Sequence, residues 1–128
     1  MFATGVNATT GAPETYCLMR IGISGWFCTS DRNVKERVEP ITPSRVLARV
    51  LAMPVSTWSI IGSKVRQIGP MAQDFYRAFG LGDTDKAINS IDSSGVAFAA
   101  IQGLNQKLTD EVKTLRSRLA ALEKKLGR

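Results

Sequence analysis

The chain contains no histidine. That absence removes Ser-His and Cys-His catalysis, so any nucleophile must be activated by a lysine, a carboxylate or an amine. Cysteine is almost as scarce, with Cys17 and Cys28 the only two. Two thiols without an imidazole cannot complete a four-ligand structural zinc site. Spacing alone does not establish a disulfide, and both are read as small buried hydrophobes, the common fate of free cysteine. No apolar run approaches the ~18 residues of a membrane span. No basic stretch followed by an apolar one opens the chain, so no secretory signal is expected. Metals, cofactors and a membrane partner are therefore not expected.

What is present suits a folded protein with one sizeable core. The 128 residues are 44% hydrophobic and 22% charged, with two tryptophans. The net charge of +6 falls mostly on residues 101–128. A basic helix can bind nucleic acid, but no arginine-aromatic alternation or binding fingerprint accompanies it. The solvated surface of a coiled coil is the preferred reading, and no nucleic-acid partner is expected.

Residues 1–29 are rich in Gly and Thr and poor in charge. "NATTGAPET" is a loop by composition, while "YCLMRIGIS" and "GWFCT" read as short strands. This piece is too small to bury a core alone. Further on, "TPSRVLARVLAM" predicts a short helix capped by Thr42, with Pro43 at its first position. Val46, Leu47, Val50 and Leu51 share its apolar face, and Pro54 stops it. "VSTWSII" and "KVRQIG" around "GS" predict a hairpin. "GPMAQDFYRAFGLG" predicts a second helix between Pro70 and Gly80. Trp58, Ile68, Met71, Phe75 and Phe79 are the expected core between hairpin and helix. "DTDKAINSIDSSG" reads as a loop with a short extended piece.

The last segment is expected to begin near Gly95 as one helix. Ile101, Leu104, Leu108, Val112, Leu115, Leu119, Leu122 and Leu126 fall at steps of three and four. From Val112 onward this is a heptad seam, with a stutter at the adjacent steps through Leu104 and Leu108. Glu111, Arg116, Arg118, Glu123 and Lys125 flank it. A single helix cannot bury such a stripe. The alternatives are folding back onto its own domain and association between chains, and length and regularity favour association. The seam alone does not separate a dimer from a trimer.

Candidate chemistry sits in "CTSDRNVKERVEP", residues 28–40. Ser30 ahead of Val34 and Val38 is a reasonable helix cap, with Lys35 a solvated lysine. The other reading makes Ser30 a nucleophile and Lys35 its base. A lysine serves as base only when neutral, which burial or neighbouring cations such as Arg32 and Arg37 would favour. Neither regular element joins the pair. Five residues of α-helix turn them roughly 140° apart, and an odd spacing in a strand puts them on opposite faces. Two arrangements meet the demand: serine on an extended lead-in with lysine after a turn, or serine facing the lysine of another chain.

"SDRNVKERVEPI", "VSTWSI", "RQIGPMAQDFYRAFGLG" and "DSSGVAFAAIQGLNQKL", in that order, resemble the intramolecular chaperone auto-processing domain, the peptidase S74 family. That family closes phage tailspikes and tail fibres, including endosialidases, and occurs in the myelin regulatory factor. The likeness runs from about Thr29 to Leu108, with a coiled-coil tail beyond. It implies an α+β fold in three parts. Residues 1–29 would be the C-terminal end of a β-rich fibre stalk, 30–94 a small chaperone domain with a hairpin and short helices, and 95–128 a long coiled-coil helix. It further implies a homotrimer that assists folding of the upstream stalk, its client, and then cuts itself free in a single turnover. The family's catalytic pair maps onto Ser30 and Lys35. Thr29 and Asp31 then flank the cleavage site, and backbone N–H groups near Asp31 and Arg32 are the candidate oxyanion donors. The implied setting is the fibre of a phage or phage-like particle made in the bacterial cytoplasm. A second reading is a trimerisation cap with an inert dyad.

Overall fold

A computed structural model describes residues 4–5, 15–19 and 26–127 of the chain. The chain divides into two units, Met1–Pro40 and Ile41–Arg128. Their architecture is α+β.

In the first unit, β1 (Thr4–Gly5), β2 (Thr15–Met19) and β3 (Trp26–Cys28) form an antiparallel sheet in that order. The loop expected over 7–15 falls almost wholly outside the described residues, as does the continuation of β2 expected past Met19. Cys17 stands directly opposite Cys28 in the β2–β3 register. Cys28 is half-buried and disulfide-bonded, which corrects the expectation of a free, buried thiol. Directly opposed positions on antiparallel strands bring Cβ atoms to about 4.5–5.5 Å, close to what a disulfide needs.

The second unit opens with α1 (Pro43–Ala52), preceded by Thr42 in extended backbone and led by proline at the first helical position. Pro lacks only a donor that the first turn could not use, so it starts this helix without cost to the ladder. A hairpin follows, with β4 (Ser56–Trp58) antiparallel to β5 (Gln67–Gly69). Ser63 N–H donates to the Ile60 carbonyl at 2.8 Å across its tip, and Gly62 sits at φ 83°. A turn with positive φ at its third residue favours glycine there. α2 (Ala72–Phe79) ends at Gly80, whose φ of 63° and N–H to Tyr76 O close the last turn.

α3 runs unbroken from Ser90 to Lys125, 36 residues, or about 54 Å at 1.5 Å per residue. It begins earlier than Gly95 because Asn89 caps it, its side chain accepting from Ile91 N–H at 2.9 Å. The extended piece expected at "AINSID", residues 87–92, is corrected over its second half: Ser90, Ile91 and Asp92 form the first turn of this helix.

The core is smaller and placed differently from the expectation. Leu47, Phe75, Val96, Ala99 and Ala100 are buried. Trp58 and Phe79 are half-buried, whereas Ile68 is 73% exposed and Met71 41%. Leu51, expected on the inner face of α1, is also exposed. Helix-on-helix contact displaces the hairpin from the centre: the N-terminal third of α3 lies against α1 through small residues. Gly103 shows how close that contact is. A Cβ there would come within 2.4 Å of the Pro43 carbonyl oxygen and 3.1 Å of Leu47 Cβ. Glycine inside a helix costs roughly 1 kcal/mol against alanine, and here it admits the backbone of α1.

Phe75 is 3% exposed and stacks against Phe79, ring centroids 5.0 Å apart and tilted by 50°. Truncation to alanine removes a buried ring and leaves a cavity. Phe75→Ala is expected to lower unfolding stability by roughly 3–5 kcal/mol. A urea titration that shifts by less than a third of this would place Phe75 outside the core.

Candidate catalytic dyad

β3 delivers the chain to Thr29 and Ser30, which continue without regular structure into a single 3₁₀ turn over Arg32–Val34. Asp31 precedes the turn at φ −64° and ψ 138°, and Lys35 follows it at φ −110° and ψ 140°, both extended. The turn is closed by Val34 N–H to Asp31 O at 3.4 Å and Lys35 N–H to Arg32 O at 3.2 Å. Extended backbone on each side of one tight turn lets the flanking side chains converge. Lys35 Nζ lies 2.7 Å from Ser30 Oγ and donates to it.

This is the first of the two arrangements that the sequence left open: serine on an extended lead-in, lysine after a turn, both in one chain. The cap role falls elsewhere. Asp31, not Ser30, caps the turn, its Oδ1 accepting from Asn33 N–H at 2.9 Å and from the Asn33 side-chain amide at 3.0 Å. The sequence points to Asp31 as a neighbour of the cleavage site and, through its backbone N–H, a candidate oxyanion donor; its capping role and Asn33 were not expected. The signal was available, since Asp followed by a residue two places on is the pattern of a side chain accepting from a local backbone N–H.

Arg37 adopts φ 52°, a left-handed conformation uncommon outside glycine and asparagine. It pairs with Glu36 at 3.1 Å, yet both side chains are more than 80% exposed, so the pair contributes little to stability. Ser30, Lys35 and the whole 3₁₀ turn lie at the surface, with only Val34 half-buried. Water reaches the dyad in the single chain.

The second unit carries a different feature. Residues 104–127 are exposed throughout, although the run includes Leu108, Val112, Leu115, Leu119, Leu122 and Leu126. The buried residues of α3 are Val96, Ala99, Ala100 and Gly103, with Gly103 set against Pro43 and Leu47 of α1. The fold of the single chain leaves the seam exposed. Phe98, Ile101 and Leu108 are exposed as well. With Asn105 between Ile101 and Leu108, the steps alternate three and four without interruption from Phe98 to Leu126. The stutter disappears once a polar residue is admitted to the seam. A groove of about 700 Å³ also opens on this helix, lined by Leu47, Leu51, Gly103, Leu115 and Arg118 among others.

Among known families, the one described as the chaperone of endosialidase, Peptidase S74, matches residues 30–80. The match begins at Ser30 and includes the 3₁₀ turn, Lys35, α1, the hairpin and α2. No curated protein and no solved structure matches the chain.

Proposed function

We propose that the chain is the C-terminal chaperone of a phage-type tail fibre or tailspike, and that it frees itself by Ser-Lys autoproteolysis; the match of residues 30–80 to the chaperone of endosialidase, Peptidase S74, supports the chaperone role. The 2.7 Å approach of Lys35 Nζ to Ser30 Oγ carries this reading. With lysine neutral, the same line conveys the hydroxyl proton from oxygen to nitrogen.

The steps follow from elementary chemistry. Ser30 Oγ attacks a peptide carbonyl as Lys35 takes its proton. Ring size selects the carbonyl within one chain. Attack on the carbonyl of Ser30 itself would close a four-membered lactone, whereas attack on the carbonyl of Thr29 closes a five-membered ring. The Thr29–Ser30 C–N bond breaks, the proton on Lys35 passes to the departing amine, and Thr29 is left as an ester on Ser30 Oγ. Water hydrolyses the ester, giving a carboxylate on Thr29 and restoring the serine. Lys35 can assist both steps, first as base and then as acid. Each chain turns over once, since its substrate is its own backbone.

Assembly completes the proposal. The exposed seam of α3 is the surface on which three parallel copies associate, and a β-rich stalk that includes residues 1–29 is the folding client. The product belongs on a virion fibre. Among the described residues, no helix is long and apolar enough to cross a membrane.

Mass spectrometry of freshly expressed chain tests the central claim. Fragments 1–29 and 30–128 are the expected products. A single intact mass after prolonged incubation of the assembled protein would instead leave a trimerisation cap with an inert dyad.

A further inference from the structure

We infer that Asp31 is a positioning residue for the dyad, acting through the 3₁₀ turn and never touching the reacting atoms. The inference rests on the self-cleavage reading for its catalytic consequence, but its geometric content stands apart from that reading. Ser30 and Lys35 meet only because the chain reverses between them. The backbone bonds that close the reversal are 3.4 and 3.2 Å long, at and beyond the usual limit for a good N–H···O bond. The side-chain bonds are shorter. Asp31 Oδ1 accepts two donors from Asn33, its backbone N–H at 2.9 Å and its side-chain amide at 3.0 Å, and so ties the residue that opens the turn to the one at its centre. No residue of the turn is fully buried and only Val34 is half-buried, so packing holds it weakly.

A turn of one 3₁₀ unit is otherwise weak. Its nucleation fixes several dihedrals for few hydrogen bonds, and 3₁₀ geometry is poorer than that of an α-helix. Loss of an acceptor at such a cap opens the turn, and the lysine then swings away from a serine that remains on its strand exit. What the position requires is an oxygen acceptor of aspartate's length. Asparagine supplies one, so Asp31→Asn keeps the turn, whereas Asp31→Ala removes the acceptor. Charge therefore separates from geometry in a single pair of variants.

The experiment uses the full chain and two readouts. Cleavage rates are compared for wild type, Asp31→Ala and Asp31→Asn. In parallel, nuclear Overhauser contacts between Ser30 Hβ and Lys35 Hε are measured on freshly purified, uncut chain. Asp31→Ala should slow cleavage about tenfold or more and lose the Ser30–Lys35 contact, with circular dichroism and sedimentation unchanged. Asp31→Asn should restore the contact and bring the rate within about threefold of wild type. Persistence of the contact in Asp31→Ala overturns the inference, as does an Asp31→Asn variant as impaired as the alanine. If wild type itself never cleaves, the self-cleavage reading fails. The proton contacts then still decide whether Asp31 sets the dyad.

Discussion

Ser30→Ala and Lys35→Ala should each leave the chain at its full mass under conditions that convert wild type to fragments 1–29 and 30–128. The expected loss is of all detectable product. Ser30→Ala removes the atom that becomes acylated, and no other hydroxyl or thiol lies within the turn. Lys35→Ala removes the amine at 2.7 Å from that atom. The chain has no histidine to replace it. The alanine variants should retain the fold. Both side chains are exposed, and exposed substitutions away from caps and cores usually change stability by less than about 0.5 kcal/mol. Lys35→Arg is the sharper control. A guanidinium preserves charge and reach but does not lose its proton in a protein, so this variant should also stay intact. Time courses followed by mass spectrometry decide the matter. Cleavage of Lys35→Ala at the wild-type rate would show that lysine is not the base, while leaving the role of Ser30 open to its own variant.

How far the sequence revealed this arrangement depended on whether the determining interaction was local. Pro43 and Gly80 act within a few residues of themselves, and the helix boundaries beside them are where the sequence suggested. Gly62 marked its turn for the same reason. Ile68 was misassigned because its β-branched neighbours signal a strand but not which face is covered. The hairpin has two strands only, and residue 68 faces no other element. The buried role went to Val96, Ala99 and Ala100, small side chains that carry little signal individually. They matter because they let α1 approach α3. Asn105 hid the continuity of the seam, since a count of apolar positions skips it. Asn89 hid the start of α3 in the same way: a polar run resembles a loop until its side chain is seen to cap a helix. At the dyad, regular periodicities excluded contact between positions 30 and 35. The solution was irregular, one 3₁₀ turn set by Asp31 and Asn33. Cys28 illustrates a further limit, for the register that opposes it to Cys17 is a property of strand pairing and not of spacing.

Breaking the seam should stop cleavage without touching the dyad. In the single chain the dyad is open to water, whereas a base that takes the proton of Ser30 must be a neutral amine. Exclusion of water favours the neutral amine, and only neighbouring protein can exclude it. In the proposed assembly, the seam would recruit that protein. Leu115 and Leu119 are 61% and 56% exposed, so aspartate at both positions disturbs little within one chain. Three parallel copies would instead bring six carboxylates to the axis of a coiled coil, a burial of unpaired charge that association cannot tolerate. Leu115→Asp combined with Leu119→Asp should therefore sediment as a monomer, keep its helical signal over the α1–α3 contact, and cleave at least a hundredfold more slowly than wild type, about 2.7 kcal/mol in the barrier. On the proposed reading, the physiological sense would be a check on order: a client stalk would be released only after three chains had aligned. Sedimentation velocity and a cleavage time course on the same sample provide the test. A verified monomer that cleaves at the wild-type rate would end the idea of gating by assembly and would show that the 3₁₀ turn alone activates Ser30.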